Sequence, residues 1–303
     1  MKKLVSIIAA VLVLGLTNAW AEGNSTNSGV RTIKSPRFAR PLIEKWIEEY
    51  AKTEPGVEFQ IVKGSGNQDN IDLNVTFSDN QDSNEKLFSH IVYFGETAVL
   101  PITARSSEAA RLLEGKHLNS KKLKQLFFLN DDFEEDVKRN KAFEAITIYS
   151  GSNATSVAGS FAHNFGEEST NFRGKRIAGD DLFLNTAIAK DPLGVSFNTL
   201  SNIFDLQSRR LKSDLSLVGL DLKKDVAVSF SDKGSLDEVL TILETEKPAE
   251  VTVGKVAITY NGTDEAVSRF LQWVLENGTK YNHQYGLLNL NQKELSAQAS
   301  YVR

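Results

Sequence analysis

From Pro41 onward, apolar residues fall at Leu42, Ile43, Trp46, Ile47 and Tyr50, the spacing of one helix face. Pro41 suits the first turn, where its missing N–H costs nothing. Residues 57–62 and 71–77 alternate apolar and polar, which predicts two short strands flanking the turn sequence Gly64-Ser65-Gly66-Asn67. Residues 91–94 and 98–102 read as two further strands, followed by helices near 108–113 and 121–128. Residues 145–149 form a strand that runs into the polar stretch Ser150-Gly151-Ser152-Asn153-Ala154-Thr155, after which Val157, Phe161 and Phe165 recur at helical spacing. Asp180 and Asp181 are placed to cap a helix through Ile188, and residues 194–197 read as a strand. Ser235-Leu236-Asp237-Glu238 spells a capping box for a helix with Val239, Leu240, Ile242 and Leu243 on its core face. Residues 251–260 are β-rich, and a helix over 264–277 is expected to end at Gly278 in a left-handed cap. Strands alternating with helices predict an α/β fold.

The first residues change the picture of where the chain works. Lys2 and Lys3, a mostly apolar run over 4–16 and Ala19-Trp20-Ala21 match a cleavable secretory signal over residues 1–21. An apolar run of 13 residues covers about 20 Å, too short for a hydrocarbon core of about 30 Å. Residues 22–30 are small and polar and read as a flexible leader. The expected location is the periplasm, with no direct membrane insertion. Cysteine is absent, which excludes disulfides, thiolate metal sites and a lipid-modified cysteine. The net charge of -4 becomes more negative once Lys2 and Lys3 are removed, and the basic residues are scattered, so nucleic acid is not an expected partner. The charged run over 131–138 reads as a solvated loop.

Few segments carry chemistry. The four histidines lie far apart, so no metal site and no cofactor are expected. Gly64-Ser65-Gly66 and Gly151-Ser152-Asn153 do not make a nucleophile elbow, so the chain does not read as an enzyme. The stretch 150–155 precedes a helix, and its hydroxyls, amide and backbone N–H groups read either as an anion seat or as an ordinary helix cap. Arg37 stands just before the first helix, as a fork for an oxyanion or as a solvated arginine beside a core Phe38. Gly64-Ser65-Gly66 reads as a turn that contacts ligand at most.

Taken in order, four stretches resemble the periplasmic phosphate-binding proteins of ABC importers, in a divergent form. They are Ser35-Pro36-Arg37-Phe38-Ala39-Arg40-Pro41, Val99-Leu100-Pro101-Ile102-Thr103, Ala178-Gly179-Asp180-Asp181 with Gly194-Val195-Ser196-Phe197-Asn198, and residues 270–288. The resemblance implies a type II periplasmic-binding-protein fold with two lobes joined by two crossover strands that act as a hinge. Lobe I would comprise 31–98 and 256–303, and lobe II 99–255. It implies a monomer that captures phosphate or a related oxyanion and delivers it to a membrane permease. Carried over position by position, the ligand-binding set is Arg37, Phe38, Ser65, Ser150, Ser152, Asn153 and Thr155. This sequence departs from the family in the third loop, where an arginine is expected and Gly151 stands. Arg37 or Arg173 would have to substitute, and Asp72 or Asp79 would accept the proton of hydrogen phosphate. The departure leaves a second expectation open: an accessory protein of the cell envelope that keeps the fold but has lost tight phosphate binding.

Overall fold

A computed structural model describes residues 29–62, 71–77, 89–129, 140–153, 156–262 and 264–302. The expected signal, the leader up to residue 28, the turn at 64–67 and the charged run at 131–138 lie outside the described residues, as do Ser65, Asp79 and Thr155.

One nine-stranded mixed sheet runs through the molecule. Its strands are β1 (Arg31–Lys34), β2 (Phe59–Ile61), β3 (Leu73–Phe77), β4 (His90–Ala104), β5 (Thr147–Gly151), β6 (Lys175–Ile177), β7 (Gly194–Thr199), β8 (Leu215–Leu217) and β9 (Thr252–Tyr260). The order is β2-β1-β3-β9-β4-β7-β5-β6, with β8 beside the end of β4. β4 is the spine. Over His90–Val99 it pairs antiparallel with β9, and over Val99–Thr103 with β7. The sequence suggests two strands here, because the apolar pattern breaks at Gly95-Glu96-Thr97. The structure has one of 15 residues, with its register shifted between Tyr93 and Gly95. The polar break is buried by pairing: Glu96 and Leu288 exchange backbone hydrogen bonds, and Thr97 is wholly buried.

Each half of the sheet carries an aromatic core. On one side the Arg40–Thr53 helix, which has proline in its first turn, buries Trp46 and Tyr50 against Phe94, Phe59 and Phe270. On the other, Phe161 stacks on Phe197 at 4.1 Å beside Phe127 and Phe172. Full burial of each such side chain contributes about 1.5–3 kcal/mol. Helix starts follow the side-chain caps that the local sequence offers. Ser107, Asn119 and Asp264 each accept first-turn N–H bonds, and Ser235 with Glu238 forms the expected capping box.

Two local expectations are corrected. Gly278 is not left-handed: its φ is -77°, it ends a π-helical turn over Val274–Gly278, and the Trp46 indole N–H donates to its carbonyl at 2.8 Å. Glycine is needed there for close approach, since a Cβ would stand 2.9 Å from Trp46 Nε1. Asp181 does not cap the Leu182–Lys190 helix with its side chain. Asp180 accepts the Leu182 N–H at 2.9 Å, and the Asp181 carboxylate turns elsewhere. Among the described residues no helix is long and apolar enough to cross a membrane.

Candidate functional site

Three loops converge where the two halves of the sheet meet. The first leaves β1 and enters the Arg40–Thr53 helix through residues 36–39. The second leaves β5 for the Ala158–Asn164 helix, and the third leaves β6 through residues 178–181. Pro36, Arg37 and Phe38 from the first loop face Ser156, Gly179, Asp180, Asp181 and Asn202 across a cavity of about 40 Å³. A single water needs about 10–15 Å³ on such a measure, so the space suits roughly three waters or one small tetrahedral ion, not a sugar or nucleotide. The halves also touch directly, as the Ser201 hydroxyl donates to the Phe38 carbonyl at 3.2 Å.

Arg37 is exposed and lines the cavity, and its guanidinium forms no ion pair or hydrogen bond among the described residues. Phe38 is a core residue by its ring, which stacks on Phe77 at 4.8 Å, so only its backbone remains for a ligand. The helix behind them starts at Ala39, which supplies no side-chain cap. Its first turn has few free donors, because the Ala39 and Arg40 N–H groups donate to the Pro36 carbonyl and Pro41 has none. Arg40, in the same turn, has its Nε buried without a partner.

The opposite wall is acidic. Asp181 Oδ1 accepts from the Ser156 hydroxyl at 2.6 Å, and Oδ2 accepts from the Val157 N–H at 2.9 Å. The donors at the start of the Ala158–Asn164 helix are therefore held by the protein's own carboxylate. Burial pushes the Asp181 carboxyl up to about 6; the bonds from Ser156 and Val157 oppose that shift, and neighbouring Asp180 adds to it. A buried polar chain fixes the wall. Asn198 donates to the Asp181 carbonyl at 2.8 Å and accepts from Asn202 at 2.8 Å. Gly179 has φ +106°, a conformation open to glycine, so the loop after β6 depends on that residue.

The sequence-derived set divides. Arg37 and Phe38 line the cavity. Ser150 is wholly buried with an unpartnered hydroxyl and is not part of the lining. Ser152 bonds the Ile177 carbonyl and Asn153 the Gly179 carbonyl, which ties the second loop to the third. Arg173, considered as a substitute cation, donates to the carbonyls of Leu126, Ile146 and Phe143 and is a structural clamp. Asp72 accepts from the Thr32 N–H and hydroxyl near the end of β1 and is not in the lining. Ser156, Asp181 and Asn202 were not singled out from sequence as ligand contacts. Asp180-Asp181 was visible, but as a helix cap. Gly151 has no space for a side chain, because a Cβ would lie 2.0 Å from Ser156 Oγ and 2.7 Å from Asp181 Oδ1.

No family model matches the chain, and no curated protein matches it by sequence. Solved structures do match by shape. A phosphate ABC transporter substrate-binding protein from Clostridium perfringens, crystallised with bound phosphate, aligns over 87% of this chain and 100% of its own. Its TM-score is 0.59 and the identity 12%. An ABC-type phosphate transport receptor from Vibrio cholerae aligns over 86% of this chain and all of its own, with a TM-score of 0.55 at 11% identity. The fold is that of the periplasmic binding proteins. β4 and β9 run side by side where the two halves of the sheet meet, and residues 36–38 face residues 179–181 across the cavity there.

Proposed function

We propose that this chain is an exported solute-binding protein that closes two lobes, 31–98 with 256–303 and 99–255, on a small oxyanion and delivers it to the permease of an ABC importer. The observation that carries the reading is the interlobe cavity itself. It is sized for a tetrahedral ion, with Arg37 on one wall and Asp181 on the other. The charge pattern selects among oxyanions. A carboxylate facing the ligand accepts a hydrogen bond from a protonated phosphate but repels sulfate, which has no proton to give. At about 4 Å and an effective dielectric of 20, two like unit charges cost about 4 kcal/mol. The ligand class is therefore a protonated oxyanion such as hydrogen phosphate, held without covalent chemistry.

One observation favours the second reading, an envelope protein that keeps the fold without tight phosphate binding. The Ser156 and Val157 donors are already spent on Asp181, and Gly151 leaves no room for a ligand arginine. Thermal unfolding of the chain from Glu22 onward, with phosphate and sulfate at pH 5.5 and 8, separates the two. At a thousandfold excess over the dissociation constant, a bound ion stabilises by about 4 kcal/mol. The transport reading expects phosphate to raise the melting temperature and sulfate to leave it unchanged at pH 8, where Asp181 is ionised. No shift with either ion at either pH would abandon the transport reading for the accessory one.

A further inference from the structure

A second concavity lies away from the interlobe cleft, on the half built around β7. A partly open cavity of about 810 Å³ sits between the Glu108–Leu113 helix, the strand β8 with its continuation to Leu220, and the Lys224–Ser229 helix. That volume is within the range of small-molecule sites, about 300–1,000 Å³, which are mostly apolar with a few polar groups at fixed points. Its floor has this character: Leu113, Val218, Leu220 and Phe230 line it and are each about 4% exposed or less. Val228 lines it too and is 63% exposed, although it follows the buried Val226 on a short helix.

The rim is positive although the chain as a whole is negative. Lys116, Lys224 and Lys233 border the cavity, and none of the three ammonium groups forms an ion pair or hydrogen bond with the described residues. The acids there do not neutralise them. Asp232 is engaged by Arg105, the Ser216 hydroxyl and the Leu217 N–H, and Glu114 stands alone on the exposed edge. Arg111, the remaining cation of the rim, pairs with Glu108. An apolar trough edged by free lysines matches a ligand with an apolar body and an anionic end.

We infer that this cavity is a second binding site, independent of the interlobe cleft, for an amphipathic carboxylic acid whose alkyl chain lies on the Leu113–Leu220–Phe230 floor and whose carboxylate meets the Lys116, Lys224 and Lys233 rim. The test is a calorimetric titration of the whole chain with dodecanoate below its micellar concentration, with dodecyltrimethylammonium as the matched cation. The expected result is saturable binding of one dodecanoate per chain, with the cation at least tenfold weaker. Val228→Glu, at an exposed position, should weaken dodecanoate at least thirtyfold while leaving the urea midpoint unchanged. Replacing the three lysines by glutamine should weaken dodecanoate about tenfold and leave dodecanol binding unaffected. Equal binding of the cation, wild-type binding by Val228→Glu, or absence of saturable binding would overturn the proposal. So would an acidic amphipathic peptide that binds where dodecanoate does not.

Discussion

Replacing Asp181 by Asn isolates the energetic cost of the acidic wall. Burial holds this carboxyl at about 6, against 3.8 for the unperturbed group. The gap of roughly two units corresponds to about 3 kcal/mol at 1.36 kcal/mol per unit. The unfolded chain releases the proton near pH 4 and the folded chain near pH 6. Between these values the folded state holds more protons, so stability falls as pH rises through that window and remains lower above it. Asparagine has the shape of the protonated carboxyl and does not titrate. Asp181→Asn should therefore match the wild type near pH 4 and exceed it by about 3 kcal/mol at pH 8. Urea unfolding of both chains at pH 4, 5, 6 and 8, followed by tryptophan fluorescence, measures this difference, and groups common to both chains cancel. A difference that does not change with pH, or a variant less stable than wild type at pH 8, would show that Ser156 and Val157 more than compensate the burial of the charge.

Three further substitutions test the supporting geometry. Gly151→Ala forces a Cβ onto Ser156 Oγ and Asp181 Oδ1 and should cost about 1–3 kcal/mol in urea unfolding, which also means that an arginine cannot be introduced there without moving the loop. Gly278→Ala pushes against Trp46 and strains its indole bond; a loss of about 1–3 kcal/mol with a shifted tryptophan emission is expected. Arg173→Met removes a donor from three carbonyls, of which Phe143 keeps the Ile146 N–H, and at about 1–3 kcal/mol for each buried group left unsatisfied the melting temperature should drop by several degrees, with any phosphate response of the folded protein retained.

Much of the fold is legible in the sequence because local signals decide it. Pro41 with its helical stripe and the Ser235–Glu238 capping box specify helix starts from neighbouring residues alone. The sequence misleads where a distant partner sets the outcome. β4 continues through Gly95-Glu96-Thr97 because β9 and Leu288 satisfy that backbone, and Gly278 is glycine because Trp46, far away in the chain, lies against it. The candidate site follows the same division. Arg37 is visible as a cation before a helix, but Ser156, Asp181 and Asn202 meet it only after three loops converge. That the Asp181 carboxylate fills the space beside Gly151 appears only once the second and third loops are seen together.

The central pairing of β9 with β3 and β4 also constrains how the chain reaches this state. Val75 faces Ile258 across some 180 residues, and Val92 faces the same strand across about 165. Until residue 260 has emerged, β3 and the His90–Val99 stretch of β4 present unpaired edges, so the half holding β1, β2 and β3 cannot be joined to the spine, whereas β4 from Val99 with β5, β6, β7 and β8 comes from one contiguous stretch. Contacts of such separation make folding slow, because loop closure must precede the burial that rewards it. A chain cut short before β9 should therefore keep the strand pairing of its β7 half and leave the other half open with sticky strand edges, and full-length refolding should be limited by the docking of this late strand.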